Sequence, residues 1–126
     1  MALKDRVQFL TSADQVDDFL QQHPNAAIFK AGTCHKTQET FRGIEPLLEA
    51  RAELSLGVIR VVEARPASNR VAEKTGIRHE SPQIVLFKDG RAVFDRDNWD
   101  ITAEALQEAL TENFPGSAAV PRGGAA

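Results

Sequence analysis

A chain of 126 residues, 42% hydrophobic and 26% charged, fits one soluble globular domain better than two. A formal charge of −3, with no basic stripe of interleaved aromatics, argues against nucleic-acid or acidic-membrane partners. A single cysteine excludes an intrachain disulfide and fits a reducing compartment. The opening MALKDRVQFL carries charges where a secretory signal needs an apolar run, and no apolar stretch approaches the ~20 residues that span a bilayer, so the expected location is cytoplasmic.

In chain order, RVQF (6–9) alternates and reads as a short edge strand. TSADQVDDFLQQH (11–23) reads as a helix, with Thr11 or Ser12 as cap, Asp14 or Gln15 as capping-box partner, and Val16, Phe19 and Leu20 on one face. NAAIFKA (25–31) is a short apolar run and reads as a buried strand. After the Gly32-Thr33 break, residues 34–54 carry Phe41, Ile44, Leu47 and Leu48 at helical spacing, with Pro46 expected to kink the helix. LGVIRVVEA (56–64), rich in β-branched residues, reads as a strand with neighbours on both sides.

Residues 65–77 have Pro66 near a helix start and Gly76 near its end. Residues 81–95 are two apolar runs joined by Lys88-Asp89-Gly90-Arg91, and Asp-Gly is a strong hairpin signal. Residues 100–114 read as a final amphipathic helix capped by Asp100 or Thr102. The small, Gly/Pro-rich stretch 115–126 is expected to be a disordered tail after a single domain at 1–114. The order β-α-β-α-β-α-β-β-α implies parallel crossovers followed by an antiparallel hairpin.

This order places Cys34 where the second strand passes into a helix, on the carboxyl edge where open α/β sheets carry their sites. Unpaired N–H groups and the helix dipole favour a thiolate there. His35 and Lys36 add positive charge, and the Thr37 hydroxyl, one turn along, is placed to donate a hydrogen bond to the sulfur. A lone cysteine is most often a small buried hydrophobe, but the polar surroundings AGTCHKT fit a loop-to-helix junction. Metal binding with His79 and Glu80 is a third reading; a closed zinc site needs four ligands, and the adjacent Cys34-His35 pair rarely chelates one ion, so no metal is expected. In HESPQ (79–83), Pro82 at a strand start is either simple punctuation or a cis Ser81-Pro82 bond that turns the Ser81 backbone toward an extended substrate. His79 is either a contact for a bound adduct or a satisfied structural histidine.

A thiol at a helix start after strand two, with Ser-Pro before strand four, resembles the thioredoxin fold: an α/β domain with a five-stranded mixed sheet of order 1-3-2-4-5 flanked by helices. GTC, VVEARPASNRVAEKTGIRHESPQIVLFKDG and WDIT more closely resemble the monothiol bacilliredoxin (YtxJ-like) family, over most of residues 26–105, with Glu63–Gln83 the most specific stretch. The resemblance implies a monothiol thiol–disulfide oxidoreductase with no bound cofactor and with bacillithiol as co-substrate. Cys34 would take bacillithiol from bacillithiolated proteins. A low-molecular-weight thiol or a disulfide reductase would then release it. Cys34 and Thr37 would be catalytic, Thr33, His35 and Lys36 would stabilise the thiolate, and His79, Glu80, Ser81 and Pro82 would bind substrate. The family commonly reads Pro-Ile-Ser after the cysteine, where this chain has His35-Lys36-Thr37. That departure keeps open a non-catalytic thioredoxin-like sensor or partner-binding protein, with an iron–sulfur carrier as a third possibility.

Overall fold

The computed structural model describes residues 5–115. The elements are β1 (Val7–Phe9), α1 (Ala13–Gln22), β2 (Ala26–Ala31), α2 (His35–Glu49), β3 (Ser55–Arg60), α3 (Arg65–Thr75), β4 (Gln83–Lys88), β5 (Arg91–Asp97), a 3-10 turn (Asn98–Asp100) and α4 (Ala103–Asn113). The sheet order is β1-β3-β2-β4-β5. β1 and β2 both run parallel to β3, whereas β2–β4 and β4–β5 are antiparallel. The expected tail 115–126 lies almost wholly outside the described residues.

The local chemistry accounts for the element ends. Ser12 caps α1 by accepting from the Gln15 N–H, while Gln15 Oε1 accepts from the Thr11 N–H at 2.7 Å. Thr102, not Asp100, caps α4 by accepting from the Ala105 N–H. Asp89 (φ 55) and Gly90 (φ 82) form the two-residue hairpin loop, where consecutive left-handed residues match the strand twist. Three boundaries are shorter than expected. α2 stops at Glu49, and Arg6 donates to the carbonyls of Glu49, Arg51 and Leu54 just beyond that end. β3 stops at Arg60 because the chain turns at 61–63 to enter α3. α4 starts at Ala103, since the 3-10 turn occupies residues 98–100.

Strand alternation divides the core between the two faces of the sheet. Ala27 and Phe29 pack with Ile44 and Leu48 of α2 and with Leu106 and Leu110 of α4. Ala26 and Ile28 pack with Val16 and Phe19 of α1 and with Ala67 and Val71 of α3. At Gly57 of β3 that second layer presses close against the backbone. A β-carbon there would lie 2.8 Å from Leu10 Cδ1 and 3.2 Å from Phe19 Cε2, both in buried side chains. Gly57→Ala is therefore expected to destabilise by about 1–3 kcal/mol, read as a lower urea midpoint; an unchanged midpoint would mean that Leu10 repacks freely.

Candidate active site

β2 delivers the chain to Gly32-Thr33, and Cys34 follows as the N-cap of α2, with extended backbone (φ −86, ψ 164). The cysteine is exposed, so it is not the buried hydrophobe that a lone cysteine usually is. Its sulfur closes no N-cap hydrogen bond as a thiol, but the Lys36 and Thr37 N–H groups act on the ionised form. Partial loss of water around the sulfur is the largest single influence and opposes ionisation. The N–H groups of Lys36 and Thr37, the Lys36 ammonium and the N–H of Cys34 itself together outweigh it, and the thiol pKa falls below its ordinary value.

Each neighbour of Cys34 has a definite place. Thr33 and His35 are exposed on either side of it. Thr37 acts on the sulfur through its backbone N–H, while its hydroxyl oxygen accepts from the Gly32 N–H at 3.0 Å. Lys36 donates to Asn98 Oδ1 at 2.7 Å. The His35 ring lies 6.1 Å from that of Trp99, which is 55% exposed and forms an aromatic wall at this rim.

The second loop reaches the same place. A β-carbon on Gly32 would lie 3.1 Å from Ser81 Oγ and 3.4 Å from Thr37 Oγ1, so the turn before the cysteine packs directly against Ser81. The Ser81–Pro82 bond is cis. The Pro82 carbonyl accepts from the Asn98 N–H at 2.9 Å, which joins this loop to the end of β5.

His79 and Glu80 are placed differently. His79 Nδ1 lies 3.2 Å from Lys30 Nζ and 2.9 Å from Ser68 Oγ. A lysine ammonium only donates, so Nδ1 accepts and the ring proton sits on Nε2. Desolvation first, then the Lys30 and Arg65 cations, lower the His79 pKa against the opposing pull of Glu80. His79 thus links the loop to β2 and α3 through Nδ1, while the residue itself remains exposed. Glu80 makes only a long surface pair with Arg78, at 3.8 Å.

Residues 79–82 therefore make two sets of contacts: Ser81 and Pro82 adjoin the thiol turn and the end of β5, and His79 ties the loop to Lys30 and Ser68. Sequence reasoning missed Asn98, Trp99, Lys30 and Ser68. The lysine inside AAIFKA was the available signal for one of them, because a charge in a fully buried strand requires a partner. An apolar groove of about 420 Å³, lined by Val7, Phe9, Phe29, Phe41 and Val58, flanks α2 and ends near Thr37. It offers no nucleophile. Among the described residues no group of three or more His, Cys, Asp or Glu side chains is placed to hold a metal ion, and no helix is long and apolar enough to cross a membrane.

Known structures share this architecture. A structure assigned as an oxidoreductase with a thioredoxin fold is similar at a TM-score of 0.76 and 26% identity, over 85% of this chain and 96% of that one. Fasciola hepatica thioredoxin matches at 0.68 and 16%, covering 84% and 98% of the two chains. Oxidised mitochondrial thioredoxin 3 from Saccharomyces cerevisiae matches at 0.69 and 16%, covering 88% and 99%. The two thioredoxin matches establish the fold alone. The family model Monothiol bacilliredoxin BrxC matches residues 8–106, a span that holds both the Cys34 turn and the Ser81–Pro82 loop. A thioredoxin fold with one exposed cysteine at its α2 cap, matched over that span, belongs to the monothiol bacilliredoxin family, whose members are thiol–disulfide oxidoreductase-like proteins.

Proposed function

We propose that this protein removes bacillithiol from protein–bacillithiol mixed disulfides by taking it onto Cys34. The observation that carries the reading is the exposed, acidified Cys34 thiol on a turn packed against Ser81. The Cys34 thiolate attacks the bacillithiol sulfur. The original S–S bond breaks, the client thiolate leaves and takes a proton from water, and a Cys34–S–S–bacillithiol bond forms. One disulfide is exchanged for another, so no external electrons are needed at this step.

Thr37 stands where a dithiol enzyme carries its second cysteine, so the chain cannot resolve the adduct by itself. A second low-molecular-weight thiol or a disulfide reductase completes the cycle. Ser81 and Pro82 flank the adduct, with the Ser81 backbone offered to an extended client segment. The setting is the cytoplasm, with bacillithiolated proteins as partners and no bound cofactor. The departure at His35-Lys36-Thr37 from the family's usual residues favours the alternative of a sensor only if the adduct resists release.

The experiment mixes reduced protein with a bacillithiolated substrate and weighs the intact chain. The expected result is one bacillithiol mass on Cys34 and a freed substrate thiol, with the adduct cleared by added thiol. No mass gain would overturn the proposal. A gain that free thiols and reductases clear only very slowly would replace the enzyme with the sensor.

A further inference from the structure

Asn98 occupies an unusual position. Its backbone is left-handed (φ 50), a conformation Asn tolerates better than most residues but which still demands a reason. Three contacts converge on it. Its Oδ1 accepts from Lys36 Nζ at 2.7 Å, its Nδ2 donates to Asp97 Oδ1 at 3.1 Å, and its N–H donates to the Pro82 carbonyl at 2.9 Å. The amide orientation follows from the partners alone, because an ammonium only donates and a carboxylate only accepts. One residue thus links the first turn of α2, the Pro82 loop and the end of β5.

We propose that Asn98 is a positioning residue that holds the Lys36 ammonium beside the Cys34 thiolate without cancelling its charge. A carboxylate in the same place would grip Lys36 at least as firmly but would neutralise it in an ion pair. The neutral amide acts as an anchor only. Charged and titratable side chains on the elements around the thiol include His35, Glu39, Arg42 and Glu45 on α2, Arg78 and Glu80 on the loop, Arg96 and Asp97 at the end of β5, and Asp100 in the 3-10 turn. Lys36 is the charge that leads among them in acting on the sulfur, and it favours the thiolate.

The proposal rests on Cys34 working as a thiolate, and its test does not require bacillithiol. The rate of Cys34 alkylation by iodoacetamide is measured against pH in the parent, Asn98→Gly, Lys36→Met and the double variant. Glycine accepts the left-handed backbone and keeps the N–H to Pro82, so only the side chain is lost. Asn98→Gly is expected to lower the rate at pH 7 several-fold and to move the midpoint upward, while the plateau at high pH is unchanged. Lys36→Met is expected to do the same, and adding Asn98→Gly to it to change nothing further.

Asn98→Asp is expected to move the midpoint further up than Asn98→Gly. A fall in the plateau with an unmoved midpoint would reduce Asn98 to a structural support and overturn the proposal, as would additive effects in the double variant. Failure of bacillithiol transfer with these shifts intact would remove the proposed function and leave Asn98's role standing.

Discussion

Cys34→Ser is expected to lose transfer of bacillithiol from a protein mixed disulfide by on the order of 10³-fold or more, because a serine hydroxyl is not ionised at neutral pH and the reaction has no other nucleophile. Cys34 is the chain's only cysteine, so no second thiol can rescue the variant. The parent's pH dependence gives an independent check. Attack requires the thiolate, so the rate rises with pH through the Cys34 pKa and then levels off. Backbone N–H groups and Lys36 lower that pKa against desolvation, so half of the limiting rate is reached at a lower pH than for an unperturbed cysteine thiol measured alongside. The gain at pH 7 is smaller than the gain in ionised fraction, since a more acidic thiolate is a weaker nucleophile. Transfer that survives in Cys34→Ser, or a midpoint at or above the free-thiol value, would remove the exchange mechanism. The plateau is expected to depend on Ser81 and Pro82, and the midpoint on Lys36 and Asn98.

The frame of the molecule was legible because its signals are local. Val16, Phe19 and Leu20 mark a helix face, Asp89-Gly90 marks a hairpin, and apolar runs alternating with helices imply parallel crossovers. The sulfur was legible too, since a polar GTC after an apolar strand can hardly be core. The contacts that tune the site were not. Lys36 and Asn98 are 62 positions apart, and nothing in either local sequence points to the other. Their pairing exists only because β5, the last strand, brings its end beside the start of α2 through the sheet order. His79 had two readings in the sequence, an adduct contact or a satisfied structural histidine, and local sequence could not choose between them. The Lys30 and Ser68 partners of its ring lie 49 and 11 positions away and are set by the fold. At Thr37 the contact that the sequence could not show is the one its hydroxyl oxygen accepts from the Gly32 N–H, which leaves the O–H proton free for the donor role expected of it.

Lys30→Met is expected to make the protein more stable at pH 7, by about 1–3 kcal/mol. Lys30 is fully buried, at 0% exposure, in central strand β2, and burial pushes its pKa down to about 8 from an ordinary 10.5. At pH 7 the native state must hold a desolvated cation that the unfolded chain keeps in water, which costs on the order of 3 kcal/mol. Methionine supplies similar length without charge. Because the folded pKa is depressed, the unfolded state binds the extra proton between about 8 and 10.5. Stability from this group therefore rises with pH through that window, and below pH 8 the penalty is present in full. The advantage of Lys30→Met should accordingly be largest below pH 8 and shrink to near zero by about pH 10.5. Paired urea titrations at pH 7 and pH 10 measure it, and the chain has no tyrosine to titrate in the same range. Removal of the cation should also let the His79 pKa rise, which proton NMR reads directly. A variant less stable at both pH values would show that the Lys30–His79–Ser68 contacts hold the loop more strongly than the buried charge strains the sheet.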